Sequence, residues 1–158
     1  MSMATRATRM LDGAGVAYRL HPYDYEGDAA IGKGLQAATA LGLPPDRVLK
    51  TLMAWVDARA VCVVIPSGRQ LQPKALAAAC EGKAARMMEV VEAERRSGYR
   101  VGGVSPFGQP RPVPVWFERD AMAHPAVWIN AGQRGLLLEI DPGDAVRVLQ
   151  ASSAAISR

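Results

Sequence analysis

Two apolar segments joined by only three residues constrain the fold of this 158-residue chain more than any other feature. The first is VLKTLMAWV (48–56) and the second is AVCVVIP (60–66), with Asp57, Ala58 and Arg59 between them. Each run has the length of a strand, and a connection this short leaves no room for a crossover helix. We therefore predict a β-hairpin.

The remaining apolar patterns predict five helices and four further strands. The helices are expected over 5–15, 29–42, 72–82, 89–98 and 141–151, and the strands over 16–23, 113–119, 126–130 and 136–140. Because the strands come in groups and do not alternate regularly with helices, an α+β fold is favoured over a doubly wound parallel sheet. We expect a curved, largely antiparallel or mixed sheet, forming a partial barrel, with helices packed on its outside. The length predicts a single domain over 1–158.

Several classes of protein are disfavoured by the sequence. The longest apolar runs are too short to span a bilayer, and the first residues lack the apolar core of a signal peptide, so we expect a cytoplasmic protein. Cys62 and Cys80 belong to no C-x-x-C pair, which predicts reduced thiols and no disulfide framework. His21 and His124 lie far apart without a partner at helical spacing, so no metal site is expected.

Lys50 is the residue that fits its surroundings least well. It interrupts a run that otherwise has the pattern of a buried strand, and strand alternation places it on the same side as Val48 and Leu52. An ammonium among apolar side chains is costly unless its head reaches a polar cleft. Lys50 is therefore either a snorkelling lysine at the edge of the sheet or a cation that a rigid strand directs toward a ligand.

The glycine-rich segment RSGYRVGGVSPFGQ (96–109) contains four glycines and one proline. Gly103 and Gly108 have the spacing of a P-loop, but Gln109 and a proline follow where Lys and Ser/Thr are required. The sequence GVSPF likewise lacks the second glycine of a nucleophile elbow. Glycine at this density predicts a main chain that bends sharply or approaches a ligand closely. A structural turn after the preceding helix is the alternative.

Positive charge is concentrated around this glycine-rich segment. The chain carries a net charge of +4, and residues 69–111 hold eight basic and four acidic side chains. A basic region beside such a loop is compatible with a phosphate-bearing partner such as RNA. The solvated surface of an arginine-rich protein is the other interpretation.

Five segments in this order resemble the YbaK/ProX family of small aminoacyl-tRNA deacylases, which are related to the editing domain of bacterial prolyl-tRNA synthetases. The segments are HPYDY (21–25), LGLPPDRVLKTLMAWV (41–56), QLQPKALAAAC (70–80), RSGYRVGGVSPFGQ (96–109) and QRGLLLEI (133–140). The resemblance extends over most of the chain, and its most specific parts are LKTL and GYRVGGVSPFG.

The resemblance implies a catalytic role for Lys50. Thr51 resembles the branch that clears cysteine from proline tRNA, whereas relatives that clear alanine typically carry Asn at this position. The glycine loop would close over the aminoacyl ester and the terminal adenosine, and its glycines would let the main chain approach them. The substrate-binding residues implied in this way are Tyr23, Thr51, Gly102, Gly103, Ser105 and Pro106.

The implied chemistry needs little from the protein, since an aminoacyl ester is already activated. Lys50 would orient the substrate and stabilise charge on the carbonyl or the leaving 3′-oxygen. In the YbaK branch the thiol of the substrate is thought to attack its own ester. No cofactor or metal is implied. The expected partner is the acceptor end of aminoacyl-tRNA(Pro), with prolyl-tRNA synthetase as a candidate second partner and with neither DNA nor a membrane.

Two positions depart from the YbaK-like pattern, which would have Ser at Asn130 and Asp at Leu137. Asn130 can still donate and accept hydrogen bonds, but Leu137 cannot bind an α-ammonium. Three alternatives therefore stay open beside a Cys-tRNA(Pro) deacylase. They are a deacylase of Ala-tRNA(Pro) or another small aminoacyl-tRNA, a non-catalytic module that binds aminoacyl-tRNA or a nucleotide, and a regulatory protein that docks on a synthetase.

Overall fold

The computed structural model describes residues 3–27 and 33–158, with the main chain alone described for residues 33 and 34. The helices are α1 (Arg6–Gly13), α2 (Lys33–Leu41), α3 (Pro73–Ala79), α4 (Val90–Ser97) and α5 (Pro142–Leu149), and a short 3-10 helix spans Arg119–Ala123. The strands are β1 (Arg19–Pro22), β2 (Leu49–Val56), β3 (Arg59–Pro66), β4 (Ala85–Met87), β5 (Val115–Glu118), β6 (Val127–Gln133), β7 (Leu136–Ile140) and β8 (Ser152–Ala154). The start of the predicted second helix, residues 29–32, lies outside the described residues.

The larger sheet has the strand order β4-β2-β3-β5-β8 and is built on the predicted hairpin. Strands β2 and β3 pair antiparallel from Leu49↔Pro66 to Val56↔Arg59, which confirms the hairpin. Asp57 in the turn has a φ of 53°, a left-handed conformation that primed hairpin turns require. Strand β4 is antiparallel to β2, whereas β5 runs parallel to β3 and β8 runs parallel to β5.

The smaller sheet has the order β1-β7-β6, and both of its pairings are antiparallel. A parallel bridge between Val48 and Trp128 connects the two sheets, and the main-chain N–H of Trp128 donates to the Arg47 carbonyl at 2.9 Å. The Arg47 guanidinium lies over the Trp128 ring, 5.1 Å from its centre. The result is an open arrangement of one mixed and one antiparallel sheet with helices outside, as the α+β prediction had it.

Strand β3 is buried along almost its whole length because the larger sheet is covered on both faces. Cys62 and Val64 pack into the larger core cluster, which also contains Phe107 and Phe117. The alternate residues of β3 pack into a second cluster with Leu76 of α3. This two-residue alternation fixes the register of the hairpin.

Side-chain caps explain where α4 and α5 begin. Glu89 and Glu92 form a capping box at the start of α4, and Gly98 ends that helix with a φ of 78°. Asp141 accepts hydrogen bonds from Gly143 N and Asp144 N, which confirms it as the predicted N-cap of α5. Within the described parts of the chain, no helix has the length and hydropathy needed to cross a membrane.

Candidate active site

A cavity of about 380 Å³ lies where the two sheets, α4 and the glycine loop meet. Six consecutive residues, Val48–Met53, all contribute to its wall, which requires that β2 turns its edge and not one face toward the cavity. Most of the wall is apolar. The lining residues are Tyr23, Ala37, Val48, Leu49, Lys50, Thr51, Leu52, Met53, Met87, Met88, Val90, Ala93, Val101, Gly102, Val104, Asn130 and Leu137.

Lys50 carries the only charge among these lining residues. It is half-buried, and no hydrogen bond or ion pair joins its ammonium to the described part of the chain. Burial therefore lowers the pKa of Lys50 from its ordinary value without a carboxylate to oppose the shift. A cation held without a partner in an apolar cavity is available to a ligand that brings negative charge.

Thr51, which was predicted to bind substrate, follows Lys50 in the cavity wall, but its hydroxyl is not exposed there. The Oγ1 atom is shielded from solvent and has no hydrogen-bond partner in the described residues. A buried hydroxyl without a partner costs about 1–3 kcal/mol. Contact between this hydroxyl and a substrate stays a prediction.

Tyr23 lies in the cavity wall near the smaller sheet. Its main-chain N–H donates to the Gly135 carbonyl at 2.8 Å, which ties the residue to the β6–β7 hairpin. Burial raises the pKa of its phenol, so the hydroxyl is protonated at neutral pH and can donate a hydrogen bond.

Side chains from the β6–β7 hairpin hold the glycine loop at the cavity. The Asn130 side-chain amide donates to the Gly102 carbonyl at 3.1 Å, and Arg134 Nε donates to the Val101 carbonyl at 3.0 Å. The Asn130 Oδ1 atom accepts from Gly132 N at 2.7 Å. Asn130, which departs from the family pattern, thus holds the glycine loop through its amide nitrogen and the end of β6 through its amide oxygen.

The glycines of the loop are required by contacts within the protein. Gly102 has a φ of 94°, and a Cβ there would lie 2.6 Å from the Tyr25 hydroxyl. A Cβ on Gly103 would lie 2.8 Å from the main-chain nitrogen of Arg134. The sequence suggested that these glycines let the main chain approach a ligand, whereas the structure shows a close approach to Tyr25 and to the hairpin.

Three of the predicted binding residues do not line the cavity, namely Gly103, Ser105 and Pro106. Ser105 is fully buried, and its Oγ accepts from the Phe107 N–H at 3.2 Å. Its carbonyl accepts from the Gln109 side-chain amide at 3.0 Å. These bonds shape the loop, and a direct contact of the three residues with substrate stays a prediction.

Leu137, the second departure from the family pattern, lies in the cavity wall opposite Asn130 in the β6–β7 ladder. It is 3% exposed and packs in a small cluster with Val48 and Trp128. The described residues that line the cavity include no carboxylate. An α-ammonium bound here must therefore find neutral acceptors.

The sequence analysis missed the apolar wall formed by β4 and α4. Met87 and Val90 line the cavity and are nevertheless 43% and 57% exposed, so they form its rim. Exposed apolar residues at the mouth of a cavity are typical of a binding site. The local signal was the segment MMEVV (87–91), in which two apolar pairs flank Glu89, but only the pairing of β4 with β2 brings it to the site.

We expect Gly103→Ala to destabilise the protein by about 1–3 kcal/mol, because the new methyl group would overlap main-chain atoms that cannot rotate away. Thermal melting measures the effect. Gly13→Ala is the matched control, since nothing lies within 4 Å of a Cβ at that position. Equal melting temperatures for the two variants would show that the loop does not pack against the hairpin as described.

Comparison with known proteins shows which family the sequence resembles. A family model described as the aminoacyl-tRNA editing domain matches residues 32–148. EbsC of Enterococcus faecalis, provisionally named a Cys-tRNA(Pro)/Cys-tRNA(Cys) deacylase, is 30% identical over 139 residues, which cover 87% of this chain and 84% of that protein.

Two solved structures have the same fold. One is provisionally described as a trans-editing enzyme for prolyl-tRNA synthetase and has a TM-score of 0.85 at 21% identity. The aligned region covers 100% of this chain and 98% of that one. The other, hypothetical protein APE2540, has a TM-score of 0.86 at 24% identity, with coverage of 98% and 100%. At these identities the structures establish the fold alone.

The family match and the deacylase EbsC place the chain in aminoacyl-tRNA quality control, and the cavity with its cation is compatible with that class. The chain belongs to the aminoacyl-tRNA editing domain family, as the match over 32–148 shows. Its activity is that of an aminoacyl-tRNA deacylase, which cleaves the ester between an amino acid and tRNA.

Proposed function

We propose that this protein is a trans-acting deacylase that clears mischarged tRNA(Pro), with Cys-tRNA(Pro) as its principal substrate. The observation that carries the proposal is the ammonium of Lys50, which has no partner among the described residues and lies in a mostly apolar cavity of about 380 Å³. A cavity of this size accepts a small aminoacyl group. The name of EbsC, which includes Cys-tRNA(Pro), supports the choice of substrate.

In the proposed reaction the substrate supplies its own nucleophile. The cysteine thiolate attacks the ester carbonyl carbon, a C–S bond forms, and the bond from that carbon to the 3′-oxygen breaks. The 3′-oxygen takes up the proton that the thiol lost, and the amino acid leaves as a cyclic thiolactone. Lys50 stabilises the negative charge that develops on the carbonyl oxygen or on the leaving 3′-oxygen. The protein then needs to contribute neither a serine nor a carboxylate.

Ala-tRNA(Pro) is the second candidate substrate, and Leu137 favours it. The leucine makes the wall more apolar than an aspartate would, so small aliphatic side chains are expected to bind. Alanine has no nucleophile of its own, and its ester would have to be attacked by water. We therefore expect a preference for cysteine that is weaker than in a protein with Asp at this position.

Prolyl-tRNA synthetase is the proposed source of substrate. The structural neighbour described as a trans-editing enzyme for that synthetase supports this link. Proline tRNA is charged in the cytoplasm, which is where we propose that the protein acts.

The test compares the rates at which Cys-, Ser- and Ala-tRNA(Pro) lose their ester. We expect the wild type to clear the cysteinyl substrate at least about tenfold faster than the seryl one, because a thiolate is available near neutral pH and an alkoxide is not. Ester loss no faster than in a control without protein, for all three substrates, would leave the non-catalytic binding module as the function.

Position 137 is tested in the same assay. Leu137→Asp is expected to increase the preference for cysteine over alanine, because a charged wall is less favourable than leucine to the aliphatic side chain of alanine. Leu137→Asn is the matched control, since it has a similar size and polarity without the charge. Identical substrate ratios in wild type, Leu137→Asp and Leu137→Asn would show that the position has no part in selection.

A further inference from the structure

The main-chain groups of β2 alternate in direction between its two neighbours. Val48 faces β3, because its carbonyl accepts from the Ser67 N–H at 2.8 Å. Met53 faces the opposite edge, because its carbonyl accepts from the Met88 N–H at 3.0 Å. In an antiparallel pair the N–H and C=O of one residue point to the same side and successive residues alternate. The N–H and C=O of Thr51 therefore point away from β3, toward the edge on which Met88 lies.

That edge is open at Thr51. Strand β4 pairs with β2 only from Ala54 to Val56, and the smaller sheet meets the chain at Val48. Between these contacts no described strand pairs with the edge of β2 that faces away from β3, and no described side chain hydrogen-bonds to the main chain of Thr51. The cavity occupies this gap, with Val48–Met53 along its wall. Thr51 thus presents one main-chain donor and one main-chain acceptor to whatever the cavity binds.

The spacing of the main-chain N–H and C=O of Thr51 indicates which ligand can bind to both. Two residues that face each other in an antiparallel pair exchange two hydrogen bonds, each N–H donating to the other C=O. An aminoacyl ester contains the same unit as a residue of a strand, a nitrogen donor and a carbonyl on either side of one Cα. We propose that the aminoacyl group of the substrate binds as a one-residue strand opposite Thr51. Its α-ammonium donates to the Thr51 carbonyl and its ester carbonyl accepts from the Thr51 N–H.

This proposal rests on the proposed function and adds the means by which the amino acid is held. It accounts for the leucine at position 137, because a main-chain carbonyl takes the place of the absent carboxylate as acceptor for the ammonium. It also places the ester beside Lys50, the neighbouring residue of the same strand. The recognised class is then an α-aminoacyl ester with a free amino group, whatever its small side chain.

Binding of non-hydrolysable analogues tests the proposal without turnover. The probes are adenosine derivatives that carry L-alanine or propionate in amide linkage at the 3′ position, and they differ only in the α-amino group. Calorimetry on the wild type is expected to show the alanyl compound binding at least about tenfold more tightly, as a hydrogen bond from a charged donor predicts. N-acetylation of the alanyl compound is expected to remove this advantage. Equal affinities for the alanyl and propionyl compounds would overturn the proposal.

The hydrogen bond that the Thr51 N–H donates is tested by replacing the main-chain nitrogen of residue 51 with oxygen. Incorporation of the α-hydroxy analogue of valine at position 51 converts the N–H to an ester oxygen, and Thr51→Val, which keeps the N–H, is the matched control. We expect the ester variant to bind the alanyl compound at least about fivefold more weakly than Thr51→Val, consistent with one lost hydrogen bond. Equal binding by these two proteins would refute the assigned donor. Ester loss from Cys-tRNA(Pro) by the wild type, measured separately, would still establish the proposed function in that case.

Discussion

Replacement of Lys50 by alanine is expected to lower the rate of ester cleavage at least about tenfold, which corresponds to about 1.4 kcal/mol of transition-state stabilisation. The reason is that Lys50 carries the only charge in the described cavity wall, most of which is apolar, so that one cation has a large effect. Single-turnover rates with Cys-tRNA(Pro) measure the loss. Unchanged rates in a folded Lys50→Ala protein would remove Lys50 from the mechanism.

The ammonium of Lys50 is expected to lower the free energy of unfolding of the wild type. Burial lowers the pKa of Lys50, so below that lowered pKa the folded state must hold a charge that the unfolded chain holds more easily in water. Lys50→Met retains an unbranched apolar side chain and removes the charge. We therefore expect Lys50→Met to melt at the same temperature as the wild type or higher, while its deacylation rate falls as in Lys50→Ala. A fall in melting temperature would show that the ammonium has a stabilising partner.

The pH dependence of the reaction follows from the direction of the same shift. Because burial lowers the pKa of Lys50 from its ordinary value of 10.5, the contribution of the ammonium is present below the lowered pKa and is lost as the pH rises through it. The enzyme-dependent rate is obtained by subtracting ester loss without protein at each pH. Lys50→Met should lack this alkaline decline.

Local patterns were sufficient to predict some of the elements that carry the fold and the site. The β2–β3 hairpin follows from two apolar runs and a three-residue connection, and the start of α5 follows from Asp141 as N-cap. Strands β4 and β8 were not predicted, because three residues are too few to show alternation. Both are held by pairing with a neighbour that is distant in sequence, which a local pattern does not contain.

Site residues could be predicted from the sequence where a polar side chain lies in an apolar segment. Lys50 was found because an ammonium in an apolar strand is costly. The engagement of Asn130 with the Gly102 carbonyl was not predictable, because the two residues are brought together only by the tertiary fold. The open edge of β2 was hidden for the same reason, since it depends on where β4 stops pairing.

Glu118 shows most clearly what the sequence could not reveal, and it carries the prediction with the largest expected effect on stability. It was expected as part of an ordinary strand, yet its side chain is 1% exposed. Its Oε1 atom accepts from Ile156 N at 3.0 Å, from Ser157 N at 2.9 Å and from Ser157 Oγ at 2.7 Å. The Oε2 atom accepts from Asp120 N at 3.0 Å. One carboxylate thus fixes the segment that follows β8 to the larger sheet.

Glu118→Gln is expected to lower the free energy of unfolding by about 3 kcal/mol, because an amide cannot accept at both positions and leaves buried N–H groups unpaired. Denaturant titration of the wild type and the variant measures this loss of unfolding free energy. Asp120→Asn is the matched control, since it also removes one carboxylate from the group around Arg69 but lies at the surface. Its effect should stay within about 1 kcal/mol.

The dependence of this loss on pH identifies its origin. Burial alone would raise the pKa of Glu118, but the hydrogen bonds from Asp120, Ser157 and Ile156 outweigh burial and hold the pKa below its ordinary value. A carboxylate whose pKa is lower in the folded state stabilises that state above the unfolded pKa, here about 4.3, and loses this contribution as the pH falls through the folded pKa. The difference in unfolding free energy between wild type and Glu118→Gln should therefore be constant from pH 7 to 5 and shrink at lower pH. A difference that did not change with pH in the acid range would mean that Glu118 stabilises the fold through its shape and not through its charge.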